Sequence, residues 1–154
     1  MAIKEVKEYF KKFDMDTRIQ EFDKSSATVE EAAIALNTEG KRIAKTLSFK
    51  TKDSIFLIVL AGDAKVSNSK YKALFHEKAH MLTYDEVNEF IGHPVGGVCP
   101  FAIKEGIKVY LDESLKRFET VFPACGSESS AIELTISELE KYSNYECWID
   151  VSNY

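Results

Sequence analysis

The chain has 154 residues, of which 45% are apolar and 29% are charged. This length suits one domain of about 100–200 residues, and the composition excludes a disordered, collagenous or low-complexity protein. The longest apolar run, residues 55–61, is far shorter than the ~20 residues that cross a bilayer. The first ten residues also lack the apolar centre of a signal peptide. We therefore expect a single domain over residues 1–154 that does not associate with membranes.

Periodicity and capping signals predict a series of short elements along the chain. Helices are expected over 2–13, from Thr28 to about Asn37, from Ser67 to Phe75, from Thr83 to Gly92, and from Ser137 to Ser143. Strands are expected over 17–22, 43–50, 54–60, 78–82, 107–111, 119–123, 131–135 and 147–151. The strand over 54–60 is nearly all apolar and should be central. This irregular order predicts an α+β fold, with short helices around one mixed, curved, barrel-like sheet.

The cysteines indicate the redox environment of the protein, and the charge distribution indicates which kinds of partner it can bind. Cys99, Cys125 and Cys147 are an odd, sparse set, which predicts a reduced, cytoplasmic protein without a disulfide framework. We expect Cys147 to face the core. Residues 41–78 carry nine Lys or Arg and three Asp or Glu, within a chain of net charge −5. Most of these lysines are expected to be solvated, but the pattern permits a local anion site and argues against indiscriminate binding of DNA or RNA.

Two short motifs match known catalytic patterns, but the sequence around them does not fit those patterns. Residues 76–80 read His-Glu-Lys-Ala-His and match H-E-x-x-H, which needs both histidines on one helix to bind zinc. The segment from Lys78 looks extended, and His93 is the one remaining histidine, so we expect no metal. A Cys99–His93 nucleophilic pair is also conceivable, but closeness in sequence does not bring the two side chains together.

The glycine-rich segment 96–100, Gly-Gly-Val-Cys-Pro, is the strongest local feature. Two glycines let a ligand approach the main chain, and their amides could form a cradle for an anion or a carbonyl oxygen. Pro100 would stiffen the exit from this loop. The alternative is a plain structural turn.

Lys45 is the second feature. Strand alternation places it on one face with Ile43 and Leu47, where its amine would be partly buried and would need an anion or a polar ligand. The alternative is an edge lysine whose stem lies on apolar surface while its amine reaches water.

Three segments, taken in order, resemble the YbaK family, which comprises the prolyl-tRNA synthetase-associated editing domain and its free-standing relatives. They are Lys45-Thr46-Leu47, the Gly-Asp-Ala-Lys-Val of 62–66, and the Gly-His-Pro-Val-Gly-Gly-Val-Cys-Pro-Phe of 92–101. The resemblance extends from about Val6 to Val151. It implies a mixed barrel-like sheet with helices packed around it. It also implies hydrolysis, without a cofactor, of a wrong amino acid from the 3′ end of a tRNA, usually tRNA for proline.

The resemblance also implies roles for individual residues. Lys45 matches a lysine associated with substrate positioning and activity, and Gly96 and Pro100 match a Gly-x-x-x-Pro loop that lines the editing pocket. With Gly97, these residues form the predicted catalytic set. The predicted substrate-binding residues are Thr46, Asp63, Lys65, His93, Val98, Cys99 and Gly126. The implied partners are aminoacyl-tRNA and a prolyl-tRNA synthetase. The alternative is a catalytically silent tRNA-binding or regulatory module of the same fold.

One segment departs from a branch of the family. Residues 126–132 read Gly-Ser-Glu-Ser-Ser-Ala-Ile, whereas the cysteine-specific branch resembles Gly-Lys-Arg-Gly-Leu-Asp-Ile. The basic pair and the acidic residue of that branch are absent here. The chain is therefore more similar to the branches that clear other small amino acids.

Overall fold

The computed structural model describes residues 2–154. The helices are α1 (Ala2–Lys11), α2 (Val29–Leu36), α3 (Asn68–Phe75), α4 (Tyr84–Glu86) and α5 (Ile136–Ser143). The strands are β1 (Gln20–Glu21), β2 (Ile43–Lys50), β3 (Ile55–Ala61), β4 (Lys65–Val66), β5 (Lys108–Asp112), β6 (Thr120–Pro123), β7 (Ser130–Ala131), β8 (Leu134–Thr135), β9 (Cys147–Ile149) and β10 (Ser152–Asn153). No helix within residues 2–154 is long and apolar enough to cross a membrane.

Six strands form one mixed sheet in the order β8-β6-β2-β3-β5-β9. The hairpin of β2 and β3 is antiparallel, from the pair Ala44–Ala61 to the pair Lys50–Ile55. The pairs β2–β6, β3–β5 and β5–β9 are parallel, and β6–β8 is antiparallel. Two small ribbons, β1–β7 and β4–β10, complete the strands. The predicted α+β class with a mixed, curled sheet is confirmed.

The apolar strand β3 lies at the centre of the sheet, as predicted. Its residues 57–60 have no exposed surface, because both faces of the sheet are covered. On one side, Val6 and Phe10 of α1 belong to the same core cluster, and the Phe10 ring meets the Phe101 ring edge-on with centroids 4.9 Å apart. The apolar face that the helical spacing predicts for α1 therefore packs into the core.

The predicted capping signals at three helix starts are confirmed. Thr28 and Thr83 each form a reciprocal capping box with the Glu three residues later, and Ser67 accepts a hydrogen bond from the Lys70 amide at the start of α3. The predicted helix over 83–92 is interrupted, because residues 87–91 form a π-helical turn after α4 before Gly92 ends it.

Other predicted boundaries are wrong. Thr135, not Ser137, caps α5, because Thr135 and Glu138 form a third capping box. The expected strand over 78–82 is reduced to one bridge between Met81 and Phe49. The expected strand over 17–22 is a 3-10 turn followed by the two residues of β1.

Of two predicted strands near the C-terminus, one is divided and the other is shorter than expected. Residues 131–135 separate into β7, which pairs with β1, and β8, which pairs with β6. The segment 147–151 ends as a strand at Ile149, and the chain then forms β10 against β4. Cys147 is exposed, which corrects the expectation that it faces the core.

Candidate active site

A cavity of about 400 Å³ opens between strand β2, the start of α2, the segment 81–87 and the loop 95–98. This volume lies near the lower end of the ~300–1,000 Å³ typical of ligand pockets. Its walls are mainly apolar and include Val29, Ile43 and Phe122. The cavity therefore suits a small ligand group with an apolar surface.

The cavity lies beside a gap in the hydrogen bonding of β2. Strand β2 pairs with β6 at Ile43 and Ala44. Farther along the same edge, the Ser48 carbonyl accepts a bond from Leu82, and the Lys50 amide donates to His80. Thr46 lies between these two stretches and faces the same edge, because alternate residues of a strand point their main-chain groups the same way.

Thr46 consequently contributes three polar groups to this region. Within residues 2–154, its main-chain N–H and C=O have no partner on this edge. Its buried hydroxyl oxygen also has no hydrogen-bond partner among them. A native fold rarely leaves buried polar groups unpaired, so the main-chain groups of Thr46 on this edge are points where a ligand can supply the missing bonds.

Lys45 lines the same cavity and is half-buried. Its ammonium donates to the carbonyl oxygens of Gly62, at 3.3 Å, and Ala64, at 2.5 Å. Burial lowers the pKa of Lys45, and the nearby Asp63 carboxylate acts in the opposite direction. Because an ammonium has three N–H donors, one of them remains for a ligand while the other two hold the group in place.

The loop 95–98 supplies main-chain donors at the opposite wall. The Gly97 amide donates to the Pro94 carbonyl, whereas the amides of Gly96 and Val98 have no partner within residues 2–154. Gly96 and Val98 both line the cavity. Gly96 has φ +91°, and a Cβ there would lie 2.9 Å from the Ala27 Cβ, so a side chain would be strained and would crowd the cavity wall.

The structure brings four of the eleven predicted site residues to the cavity wall, namely Lys45, Thr46, Gly96 and Val98. The other seven lie outside it, namely Asp63, Lys65, His93, Gly97, Cys99, Pro100 and Gly126. Several of these seven support the wall from behind instead of touching its interior.

Gly97 and Gly126 let two loops approach each other closely. The Gly126 amide donates to the Gly97 carbonyl at 3.1 Å. A Cβ on Gly97 would lie 2.6 Å from the Ser127 main chain, and a Cβ on Gly126 would lie 2.8 Å from the Ala2 main chain. These glycines are therefore required for packing, and the Gly97 amide is not free to act as a donor to a ligand.

His93 and Cys99 are buried together behind the loop. The Nδ1 atom of His93 accepts a bond from the Cys99 amide at 3.3 Å, and the Cys99 Sγ atom lies 3.7 Å from it. Burial raises the pKa of the Cys99 thiol to about 12 and lowers the pKa of His93. This pair has neither access to the cavity nor an activated thiol, so the Cys–His nucleophile has no support here.

The remaining three predicted site residues, Asp63, Lys65 and Pro100, do not line the cavity. Both carboxylate oxygens of Asp63 accept bonds from Arg117, at 3.0 and 2.6 Å, which lowers the pKa of Asp63. Lys65 is exposed on β4, and Pro100 lines a separate hollow beside Tyr9.

The H-E-x-x-H segment does not form the arrangement that zinc binding needs. Helix α3 ends at Phe75, and His76 adopts a left-handed conformation with φ 63°. The two histidines therefore do not share a helical face. Over residues 2–154, no group of three or more His, Cys, Asp or Glu side chains could hold a metal ion.

Sequence reasoning missed the cavity walls formed by the starts of two helices. Ala27 and Thr28 precede α2, and Tyr84 begins α4 beside Met81. Both helix starts carry a capping box that was visible in the sequence. The sequence therefore predicted both helix starts, but no local pattern indicated that they line one cavity.

Comparison with known proteins gives one family. Residues 23–142 match the model of the aminoacyl-tRNA editing domain. The uncharacterized protein YwhH of Bacillus subtilis is 51% identical over 152 residues, which cover 98% of this chain and 97% of that protein. The proline–tRNA ligase of the same organism is 32% identical over 90 residues, which cover 58% of this chain and 16% of the ligase.

Solved structures show the same fold. The hypothetical protein APE2540 has a TM-score of 0.85 and 29% identity, with 97% of this chain and 99% of that chain covered. A proposed trans-editing enzyme for prolyl tRNA synthetase has a TM-score of 0.88 and 25% identity, with 99% and 98% covered. The chain spans only 16% of the Bacillus subtilis ligase that it resembles, so that ligase's own activity is not transferred to it. This chain belongs to the aminoacyl-tRNA editing domain family.

Proposed function

We propose that this chain is a hydrolase that removes small non-cognate amino acids from mischarged aminoacyl-tRNA, with tRNA for proline as its substrate. The observation that carries the proposal is the convergence of polar groups on one apolar cavity. It is lined by half-buried Lys45 and by Gly96 and Val98, whose amides have no partner within residues 2–154. Membership of the editing family and the likeness to a proposed trans-editing enzyme for prolyl tRNA synthetase support the choice of substrate.

The reaction needs little more than positioning and charge stabilisation. Water adds to the carbonyl carbon of the 3′ ester, and negative charge develops on the carbonyl oxygen. The C–O bond to the ribose then breaks, and the ribose oxygen takes up a proton from the attacking water. Donors fixed before the reaction stabilise such an oxyanion strongly, and the amides of Gly96 and Val98 with the free N–H of Lys45 are suited to this role.

Thr46 is suited to hold the amino acid itself. Its free C=O can accept a bond from the α-ammonium group, and its N–H can donate to an ester oxygen. A buried polar group without a partner costs about 1–3 kcal/mol, so a ligand that satisfies these groups would recover part of that cost. The apolar walls then select the side chain by size, although each methylene changes binding by only ~1–3 kcal/mol.

A deacylation screen tests the proposal. The protein is incubated with tRNA for proline charged with Ala, Cys, Ser, Thr or 2-aminobutyrate, beside Lys45→Ala as the matched inactive variant. We expect loss of one or two of the esters, dependent on Lys45 and unaffected by chelators. Addition of a prolyl-tRNA synthetase shows whether turnover needs that partner.

The same assay separates the alternative function. Binding of aminoacyl-tRNA with no loss of any ester, in the presence and absence of the synthetase, would contradict the hydrolase and favour a silent tRNA-binding module. Hydrolysis that is equal in folded Lys45→Ala would contradict the site assignment alone.

A further inference from the structure

The cavity lining includes apolar side chains that residues 2–154 leave largely exposed. Met81, Tyr84 and Val95 are 53%, 67% and 44% exposed and all three line the cavity. They come from two separate segments and meet at one opening. Exposed apolar groups that cluster at a concave site mark a binding surface, whereas the exposed Ile34 lies on α2 away from the cavity lining.

Tyr84 is held in place although its ring is free. It is the first residue of α4, and the capping box of Thr83 and Glu86 fixes that helix start. Glu86 also accepts a bond from Lys50 of β2 at 2.7 Å, which ties the helix start to the sheet. Within residues 2–154, the Tyr84 ring makes no aromatic contact and its hydroxyl makes no hydrogen bond.

The chemistry of the substrate determines what lies at this opening when the aminoacyl group is inside. A cavity of about 400 Å³ accepts an amino acid ester, and the nucleoside to which the ester is attached must lead outward, because the rest of the tRNA stays outside the cavity. If the aminoacyl group is inside, the terminal adenosine lies at the opening, one ester bond away. An adenine base has a flat π-face, and aromatic side chains bind such faces by stacking.

We propose that Tyr84, flanked by Met81 and Val95, forms a platform on which the base of the 3′-terminal adenosine stacks. This inference rests on the proposed function, because it takes the aminoacyl group as the occupant of the cavity. The platform would hold the ester over Lys45 and would be indifferent to the identity of the amino acid. Tyr84 is thus assigned as a positioning residue that binds the nucleoside.

Kinetics with three variants test the platform. Stacking is worth about 1–3 kcal/mol per base by alanine substitution, which corresponds to a loss of about 5- to 150-fold in kcat/KM. We expect this loss for Tyr84→Ala, mainly through KM and equally for every amino acid tested. Tyr84→Phe keeps the ring and should remain within about twofold of the wild type. Ile34→Ala, at an apolar residue that is 82% exposed and does not line the cavity, is the matched control and should be unchanged.

A binding measurement makes the result independent of hydrolysis. The probe is 3′-alanylamido-3′-deoxyadenosine, in which a stable amide replaces the ester. With tyrosines labelled for NMR, stacking should shift the Tyr84 ring signals upfield, and Tyr84→Ala should weaken probe binding by a similar factor. Circular dichroism verifies that each variant is folded.

The outcomes separate this inference from the proposed function. Normal deacylation by folded Tyr84→Ala, with unchanged KM and probe binding, would overturn the platform and leave the hydrolase intact. Probe stacking on Tyr84 without any deacylation would support the platform and contradict the hydrolase. A dimer in sedimentation that is lost in Tyr84→Ala, with no shift from the probe, would show that a second copy covers this surface and would overturn the inference.

Discussion

Replacing Lys45 by Met is the most direct perturbation of the proposed chemistry. Methionine keeps an unbranched apolar stem of similar length, so the packing of the half-buried side chain is largely retained. The substitution removes all three N–H donors, including the two that bond the carbonyls of Gly62 and Ala64. It therefore removes the charge and the donors with little change in shape.

The expected loss of activity is much larger than the expected loss of stability. Removal of one donor to an oxyanion costs about 100- to 1,000-fold in kcat, and we expect Lys45→Met to lose at least that much. The two carbonyls lose their donor, but Lys45 is only half-buried and water can reach this rim. We expect the free energy of unfolding to fall by no more than about 1–3 kcal/mol.

The assay is single-turnover deacylation of end-labelled aminoacyl-tRNA, with urea unfolding measured on the same samples. Lys12→Met, at an exposed lysine after α1 that does not line the cavity, controls for the loss of a positive charge. A folded Lys45→Met protein that hydrolyses the ester within threefold of the wild-type rate would refute the role of this ammonium.

Three further predictions concern the supporting structure. Gly97→Ala should lower the free energy of unfolding by about 1–3 kcal/mol in urea denaturation, because its Cβ would overlap the Ser127 main chain; an unchanged midpoint would contradict this. Iodoacetamide should label Cys147 in the native protein and leave the two buried cysteines unmodified, as mass spectrometry would show. The Arg18 guanidinium lowers the pKa of Glu138 from 4.5 to about 2, so this pair contributes stability above pH ~4.5 that is lost as the pH falls toward 2. In Arg18→Gln the melting temperature should fall less between pH 4.5 and 2 than it does in the wild type. An equal fall in both proteins would exclude this pair as the cause of the pH dependence.

Those parts of the fold that depend on local signals were predictable. The capping boxes at Thr28 and Thr83 and the cap at Ser67 involve residues three apart, so the sequence itself holds both partners. The apolar run of β3 also predicts burial on both faces directly. At the start of α5 the sequence offers the same pattern twice, at Thr135 with Glu138 and at Ser137 with Glu140, and the structure forms the box at Thr135.

Strand ends and strand partners were less predictable, because they depend on distant segments. Residues 131–135 look like one strand, but the chain changes partner between β7 and β8. The segment before Leu82 has the composition of a strand, yet it meets β2 only around Met81. The cavity occupies the space that a longer pairing on this edge of β2 would fill, and no local pattern reports that gap.

The motif residues outside the cavity hold the cavity-lining residues in place. Arg117 holds both carboxylate oxygens of Asp63, and Asp63 lies in the turn whose flanking carbonyls, at Gly62 and Ala64, hold the Lys45 ammonium. Behind the opposite wall, His93 binds the Cys99 amide, and Gly97 and Gly126 bring two loops into contact. A sequence motif marks the residues that a site needs, but it does not separate those that would touch a ligand from those that place them. Burial and hydrogen bonding make that separation: Lys45, with one N–H to spare, and the two residues with unpartnered amides line the cavity, whereas the carboxylate, imidazole and amide groups behind it are already bonded within the protein.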